Sequence, residues 1–265
     1  MLQGKTALIT GSSQGIGLAV ARAYLDAGAR VVLTSEKPRA AMNELDAALA
    51  LPGAHYIQAD LAIEGEPARL MDQAWGLLGG IDVLVNNVGI FREPPLSRLA
   101  RDDFDAVFRL NVWAGIELTR ELVRRAETAR RSGRIIFTSS LNATRSEPRH
   151  TLYDASKGAV NALTRQLAVE LAPLGFTVVA VAPGLVETPM TDFGLRGDFA
   201  ARQTVIDQIP LRRIATVEDI AAWYVFLASE RSHYATGAII ALDGGLDAQQ
   251  MAHRPMSARE FNAPS

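Results

Sequence analysis

The feature that most constrains the fold is a rhythm: seven short apolar runs alternate with amphipathic stretches along most of the 265 residues. The runs are Thr6–Thr10, Arg30–Thr34, Ala54–Ala59, Ile81–Asn86, Gly133–Ser139, Thr177–Ala182 and Ala238–Asp243. Each has strand length and is apolar on both sides, which a strand tolerates only when helices cover both its faces. Helix-period segments lie between them, near residues 15–27, 38–50, 63–78, 101–126, 152–172 and 216–229. The expected fold is therefore α/β: one domain built as a doubly wound parallel sheet with helices on both faces. Residues 1–247 would form that domain, and 248–265 a polar, irregular tail. Residues 183–210, with Gly184, Gly194 and Gly197, break the rhythm and predict a loop with a short helix. Such sheets bind ligands at the carboxyl ends of their strands, so this segment is expected to cover the substrate.

Composition removes several function classes. Apolar residues make up 48% of the chain and aromatics 6%, so the core is expected to consist mainly of Ala, Val, Leu and Ile. A net charge of −2 gives no nucleic-acid surface. The densest basic stretch holds Arg120, Arg124, Arg125, Arg130, Arg131 and Arg134, interleaved with Glu117, Glu121 and Glu127, the pattern of a solvated helix face. There is no cysteine, which excludes disulfides, thiol nucleophiles and Cys-ligated zinc. The four histidines, at 55, 150, 233 and 253, show no helical ligand spacing, so no metal is expected. Neither a leader nor a bilayer-spanning run is legible, and the expected location is cytoplasmic.

The first run leads directly into Thr10-Gly11-Ser12-Ser13-Gln14-Gly15-Ile16-Gly17 and then a helix. Glycines let a backbone turn tightly against a pyrophosphate, and the helix N-terminus adds free N–H groups and a positive dipole end. The spacing is G-x3-G-x-G, not the commoner G-x-G-x-x-G, and taken alone it also fits an ordinary strand-turn-helix.

T-G-x3-G-I-G is the glycine signature of the short-chain dehydrogenase/reductase family, and further matches follow in that family's order. Asn86-Asn87-Val88-Gly89 resembles its N-N-A-G segment, with Val88 for the usual Ala. Asn111 matches its helix asparagine, Ser140 stands thirteen residues before Tyr153, and Tyr153-x3-Lys157 follows. Pro183-Gly184-x-Val186-x-Thr188 and Asp243-Gly244-Gly245 match its closing segments. The resemblance spans residues 4 to about 247. It implies a Rossmann-like fold, an NAD(P)-dependent oxidoreductase and a hydride moved between nicotinamide and a carbonyl or secondary alcohol carbon.

Tyr153 and Lys157 are i and i+4 on a predicted helix and so share one face. Leu152, Ser156, Ala159, Leu163 and Leu167 form the neighbouring stripe, which puts the pair at the edge of the buried face. A nearby ammonium favours the phenolate, so Lys157 is expected to lower the Tyr153 pKa toward neutral and let it act as general acid or base. The chain has three lysines against 24 arginines, and lysine is the cation that gives up a proton readily. Ser140 ends a strand, where its hydroxyl can donate to the substrate oxygen; Ser139 is the adjacent alternative, and the spacing favours Ser140. Asn111 lies on the apolar stripe of its helix with Phe104, Val107, Phe108, Gly115, Leu118 and Leu122. The resemblance implies that it distorts that helix and holds a water leading to Lys157.

The resemblance also implies the cofactor contacts. Gly11, Ser13, Gln14, Gly15, Ile16 and Gly17 would cradle the diphosphate, with Asp60 and Leu61 at the adenine and Asn87 and Gly89 along the adenosine side. Pro183, Gly184, Val186 and Thr188 would hold the nicotinamide end, and Tyr153 and Lys157 would touch the cofactor as well. Glu36, after the second strand, would accept from a ribose 2′-OH and repel a 2′-phosphate, which favours NAD over NADP. Lys37 beside it argues the other way.

The segment from Leu141 to His150 links Ser140 to the Tyr153 helix and would line the substrate pocket. It is polar, with Asn142, Glu147, Arg149 and His150, and Arg92 and Glu93 would face the same space. Together with Ser140 and Tyr153, Asn142, Glu147 and His150 are the expected substrate contacts. Matched hydrogen bonds of this kind suit a sugar or polyol; a simple ketone or a 3-oxoacyl group is the alternative. The Y-x3-K spacing stands against enoyl reduction. A non-catalytic dinucleotide sensor is the reading from another class, and it would need to have lost Tyr153, Lys157 or Ser140. The helices bearing Asn111 and Tyr153 resemble those that pair between subunits, which implies a homotetramer. Met251, Met256 and Phe261 would let the tail dock on a neighbour or leave it frayed.

Overall fold

The computed structural model describes residues 1–41, 43–92, 94–191 and 199–249. Glu93, Gly194, Gly197 and the tail residues Met251, Met256 and Phe261 lie outside the described residues. Seven strands are present: β1 (Thr6–Ile9), β2 (Arg30–Ser35), β3 (Ala54–Gln58), β4 (Val83–Asn86), β5 (Arg134–Thr138), β6 (Thr177–Pro183) and β7 (Ile239–Leu242). They form one parallel sheet in the order β3-β2-β1-β4-β5-β6-β7. The helices are α1 (Gly15–Asp26), α2 (Asn43–Leu49), α3 (Glu66–Leu78), α4 (Arg101–Phe108), α5 (Ala114–Ala129), α6 (Thr151–Leu171), α7 (Phe199–Gln208) and α8 (Val217–Ala228).

Strand alternation explains the two layers. Ala7 and Ile9 of β1, Val31 and Leu33 of β2 and Val83 and Val85 of β4 face one core, shared with α1, α2 and α8. Leu8, Val32 and Leu84 point the other way, into a core shared with α3, α5 and α6. Both faces are dry, which is why the strands read as continuous apolar runs. Strand order reverses between β1 and β4, the place where a doubly wound sheet opens a crevice at its carboxyl edge.

Three local expectations change. The segment 101–126 is not one α-helix: residues Arg109–Trp113 form a π turn between α4 and α5, and Ala114 N–H bonds back to Arg109 O. Phe104 is partly exposed and stacks on Phe108 at 4.4 Å, so the apolar stripe drawn through Asn111 holds only for Val107, Gly115, Leu118 and Leu122. On α6 the buried face is Leu152, Ser156, Lys157, Val160, Asn161, Thr164 and Ala168. Ala159, Leu163 and Leu167 are only half-buried, so Lys157 lies inside the face rather than at its edge. The arginine-rich stretch is paired, with Arg125 on Glu121 at 2.7 Å and Arg131 on Asp82 at 2.9 Å. No described helix is long and apolar enough to cross a membrane.

Candidate active site

The site begins at the end of β1. Gly11 turns with φ 59°, a left-handed conformation, and a Cβ there would come within 2.9 Å of Val88 Cα. Gly17, at the start of α1, is packed more closely: a Cβ would lie 2.3 Å from Gly11 O and 2.6 Å from Asn87 Nδ2. Side chains are thus excluded where a diphosphate would meet backbone N–H groups. Thr10 and Asn87 hold this turn together. Thr10 Oγ1 donates to Val85 O at 3.2 Å and accepts from the N–H groups of Asn87 at 2.9 Å and Val88 at 3.0 Å. Asn87 Nδ2 donates to Thr10 O at 3.0 Å and to Gly11 O at 3.1 Å.

One cavity of about 460 Å³ runs from this loop across the carboxyl edge of the sheet. Gly11, Ser13, Gln14, Gly15, Ile16, Gly17, Glu36, Asp60, Leu61, Asn87, Gly89, Pro183, Gly184, Val186 and Thr188 all border it, as do Ser140, Tyr153 and Lys157. The glycine cradle at one part of its wall and the Glu36 carboxylate at another fit a nicotinamide dinucleotide.

To the same cavity, α6 supplies Tyr153 and Lys157. Lys157 is 4% exposed, and its Nζ donates to Thr138 O at 2.8 Å, 5.5 Å from the centre of the Tyr153 ring. Burial alone pushes the ammonium down to about 8. Burial also pushes the Tyr153 phenol up, against the pull of a hydrogen bond with Ser140, and the carboxylates of Asp154 and Glu147 add to the rise. The expected lowering of Tyr153 by Lys157 is therefore corrected: desolvation is the larger effect here. Phe91 packs edge-on against both Tyr153, at 4.9 Å, and His150, at 4.6 Å.

Asn111 sits in the π turn and clamps Ile90 from both sides. Its Oδ1 accepts from Ile90 N–H at 2.8 Å, and its Nδ2 donates to Ile90 O at 3.0 Å and to Ser156 Oγ at 3.0 Å. The buried amide is thus fully used, and it ties the strand-end loop to α6 one residue before Lys157. Ser139, the alternative to Ser140, also borders the cavity, but its hydroxyl is taken up by Asn161 Oδ1 at 2.6 Å.

The expected substrate wall is less open than its sequence implies. Asn142 Nδ2 reaches His150 Nδ1 and Asp154 Oδ1, both at 3.1 Å, and Asn142 N–H donates to Ser140 Oγ. Glu147 is largely exposed and lies 3.6 Å from His150 Nε2. Arg92 pairs with Asp103 at 3.0 Å. Of the five proposed substrate contacts, only Ser140 and Tyr153 border the cavity; Asn142 and His150 stand behind them. Ile90 and Thr138 are site residues that the motifs do not include, and Thr10 and Ser156, present in the glycine motif and the helix stripe, gain a structural role only here. The one available signal for Thr138 was position, since it closes a strand beside matched residues.

Comparison with known proteins follows the same outline. The family model described as Enoyl-(Acyl carrier protein) reductase matches residues 11–247. The chain is 36% identical over 247 residues to the 3-oxoacyl-(acyl-carrier-protein) reductase of Thermotoga maritima, covering 92% of this chain and 98% of that one. It is 35% identical over 246 residues to the L-xylulose reductase of Bos taurus, with 92% and 97% covered. This chain belongs to the short-chain dehydrogenase/reductase family. Among solved structures, a putative 2-deoxy-D-gluconate 3-dehydrogenase of Agrobacterium tumefaciens with bound NADP superposes with a TM-score of 0.84 at 33% identity, covering 94% of this chain and 98% of that one. The short-chain dehydrogenase/reductase described here is accordingly an NAD(P)-dependent enzyme acting on alcohol or ketone groups.

Proposed function

We propose that this short-chain dehydrogenase interconverts a secondary alcohol of a monosaccharide or polyol and its ketone, with Tyr153 as general acid/base. The carrying observation is that Tyr153, Lys157 and Ser140 meet the glycine cradle in one cavity. In reduction Tyr153 Oη gives its proton to the nascent alkoxide; in oxidation it takes the proton of the alcohol. Ser140 Oγ donates to the same oxygen as charge develops. Lys157 holds the ribose hydroxyls and supplies positive charge beside the phenol, and Asn111, by fixing Ile90, shapes the turn through which a relay water reaches Lys157. The dinucleotide, when bound, supplies or accepts the hydride.

The polyhydroxylated substrate is supported by the relatives named for L-xylulose and 2-deoxy-D-gluconate. The Thermotoga relative favours a second reading, 3-oxoacyl reduction. NAD is proposed as the preferred dinucleotide because the Glu36 carboxylate stands at the end of β2, where Ser35 Oγ donates to it at 2.8 Å. An anion there repels a 2′-phosphate. Lys37 also borders the cavity, and the Agrobacterium neighbour holds NADP, so both dinucleotides belong in the test. A panel of aldoses, polyols and hydroxy acids, with an acyl thioester and a hydrophobic ketone as comparators, is expected to give its highest kcat/KM with a sugar or polyol and NAD⁺. Turnover of the acyl thioester alone would overturn the substrate assignment, and a higher kcat/KM with NADP⁺ would overturn the cofactor preference.

A homotetramer is proposed from the exposed apolar residues on the helices expected to pair, Phe104 and Trp113 around α4 and α5 and Val169 on α6. Solution mass by light scattering is expected to be four chains; one chain's mass would overturn it.

A further inference from the structure

None of the residues of α8 borders the cofactor cavity, yet one of them reaches it through hydrogen bonds. Tyr224 is completely buried, and its Oη lies 2.6 Å from Thr138 Oγ1. Thr138 Oγ1 in turn lies 3.1 Å from Asn87 Oδ1. The donors in this chain follow from its far end. Asn87 Nδ2 is spent on Thr10 O and Gly11 O, so the amide oxygen must face Thr138 and accept. Thr138 therefore donates its one hydroxyl proton to Asn87, and Tyr224 donates to Thr138. The same Thr138 offers its carbonyl to Lys157 Nζ at 2.8 Å.

A phenylalanine at 224 would fill the same space beside Ile220 and Leu227 without burying a hydroxyl. A buried O–H is costly unless it is bonded, and the bond it makes here is to a residue of the site rather than to its own helix. Burial pushes the Tyr224 phenol well up, so it remains a donor throughout the working pH range. Tyr24 of α1 is also buried and donates to Tyr224 O at 3.1 Å, which fixes the backbone at the base of the side chain.

We propose that Tyr224 is a positioning residue of the dinucleotide site: its hydroxyl orients Thr138, which holds Lys157 through its carbonyl and the glycine loop through Asn87. The inference rests on the reading of Lys157 and the glycine loop given above. It requires that the loss of one remote hydroxyl be felt at the cofactor rather than in stability alone.

The test uses the full chain with Tyr224→Phe, Thr138→Val, the double variant and Thr138→Ser. Dissociation constants for NADH and NADPH are taken from fluorescence titration, with kinetics measured well below the melting temperature. Tyr224→Phe is expected to weaken dinucleotide binding about five- to tenfold, with the KM of the alcohol substrate within about twofold, a loss comparable to one buried hydrogen bond. Thr138→Val is expected to weaken binding further, and Thr138→Ser to recover most of that loss. The double variant should bind no worse than Thr138→Val, because both changes break one chain of bonds. Wild-type affinity in Tyr224→Phe with only a lower melting temperature would overturn the inference, and so would independent, multiplying effects in the double variant. Full turnover in a parallel Tyr153→Phe variant would instead overturn the reading of the site, so the two failures are told apart.

Discussion

Tyr153→Phe is expected to lower kcat by about a thousandfold, in the range of a general acid/base contribution, while dinucleotide affinity stays within about twofold. The variant removes one oxygen. The ring still meets Phe91 edge-on, as Tyr153 does at 4.9 Å, and α6 keeps its packing. What disappears is the group that carries the proton at the reacting oxygen. The raised phenol gives this expectation a direction in pH. A phenol that holds its proton above the usual tyrosine value is ready to act as an acid, so carbonyl reduction should be fast at neutral pH and decline as that proton is lost. Alcohol oxidation needs the phenolate, so kcat/KM for oxidation should climb with pH, about tenfold per unit, until the phenol has titrated in the working complex. Rates for both directions across pH 6 to 10 check this. Near-normal turnover in Tyr153→Phe, or oxidation that falls as pH rises from neutral, would remove Tyr153 from the role.

The parts legible in the sequence were those written in backbone chemistry. Apolar runs buried on both faces identified all seven strands to within two residues at either end, and the glycines at 11, 15 and 17 marked the turn into α1. Where the reading departed, a polar group had been satisfied by a partner distant in sequence. The buried face of α6 includes Ser156, Lys157, Asn161 and Thr164, which hydropathy assigns to the surface. Tertiary bonds bring three of them inside, Ser139 to Asn161, Lys157 to Thr138 and Asn111 to Ser156, while Thr164 donates to Val160 O of its own helix. The π turn is legible only through the resemblance, which implies that Asn111 distorts its helix; the apolar periodicity alone reads 101–126 as one helix, and the Asn111 clamp on Ile90 spans 21 residues of chain. The substrate wall shows the same limit. Asn142, His150 and Arg92 are polar in the sequence whether they face a ligand or one another, and here each has a protein partner. The Tyr224–Thr138 contact joins residues 86 apart, with no motif to announce it.

Lys157→Met is expected to make the protein more stable and nearly inactive. Lys157 is buried, and burial pushes its ammonium from 10.5 to about 8, so at neutral pH the folded chain carries a charge that its surroundings disfavour. A shift of that size corresponds to a cost of about 3 kcal/mol. Methionine is unbranched and fits the same channel without the charge, at the loss of the bond to Thr138 O. Chemical denaturation at pH 7 should therefore show a gain of about 2 kcal/mol, while turnover falls by at least about a hundredfold and dinucleotide binding weakens. The pH dependence separates this explanation from a general packing effect. Because the folded pKa lies below the unfolded one, the native lysine releases its proton first as pH rises from about 8, while the unfolded chain still holds it. The unfolded state then binds more protons, so wild-type stability should rise between about pH 8 and 10. Lys157→Met lacks that group and should not rise, so its advantage narrows over the same interval. Above about pH 10 both proteins should lose stability, because burial pushes Tyr24 and Tyr224 up and the unfolded tyrosines give up their protons first. A variant no more stable than wild type at pH 7, or a wild type whose stability is flat from pH 8 to 10, would show that the Lys157 charge is not strained in the folded protein. The ammonium would then owe its place in the site to favourable contacts alone, and the trade of stability for function argued here would be wrong.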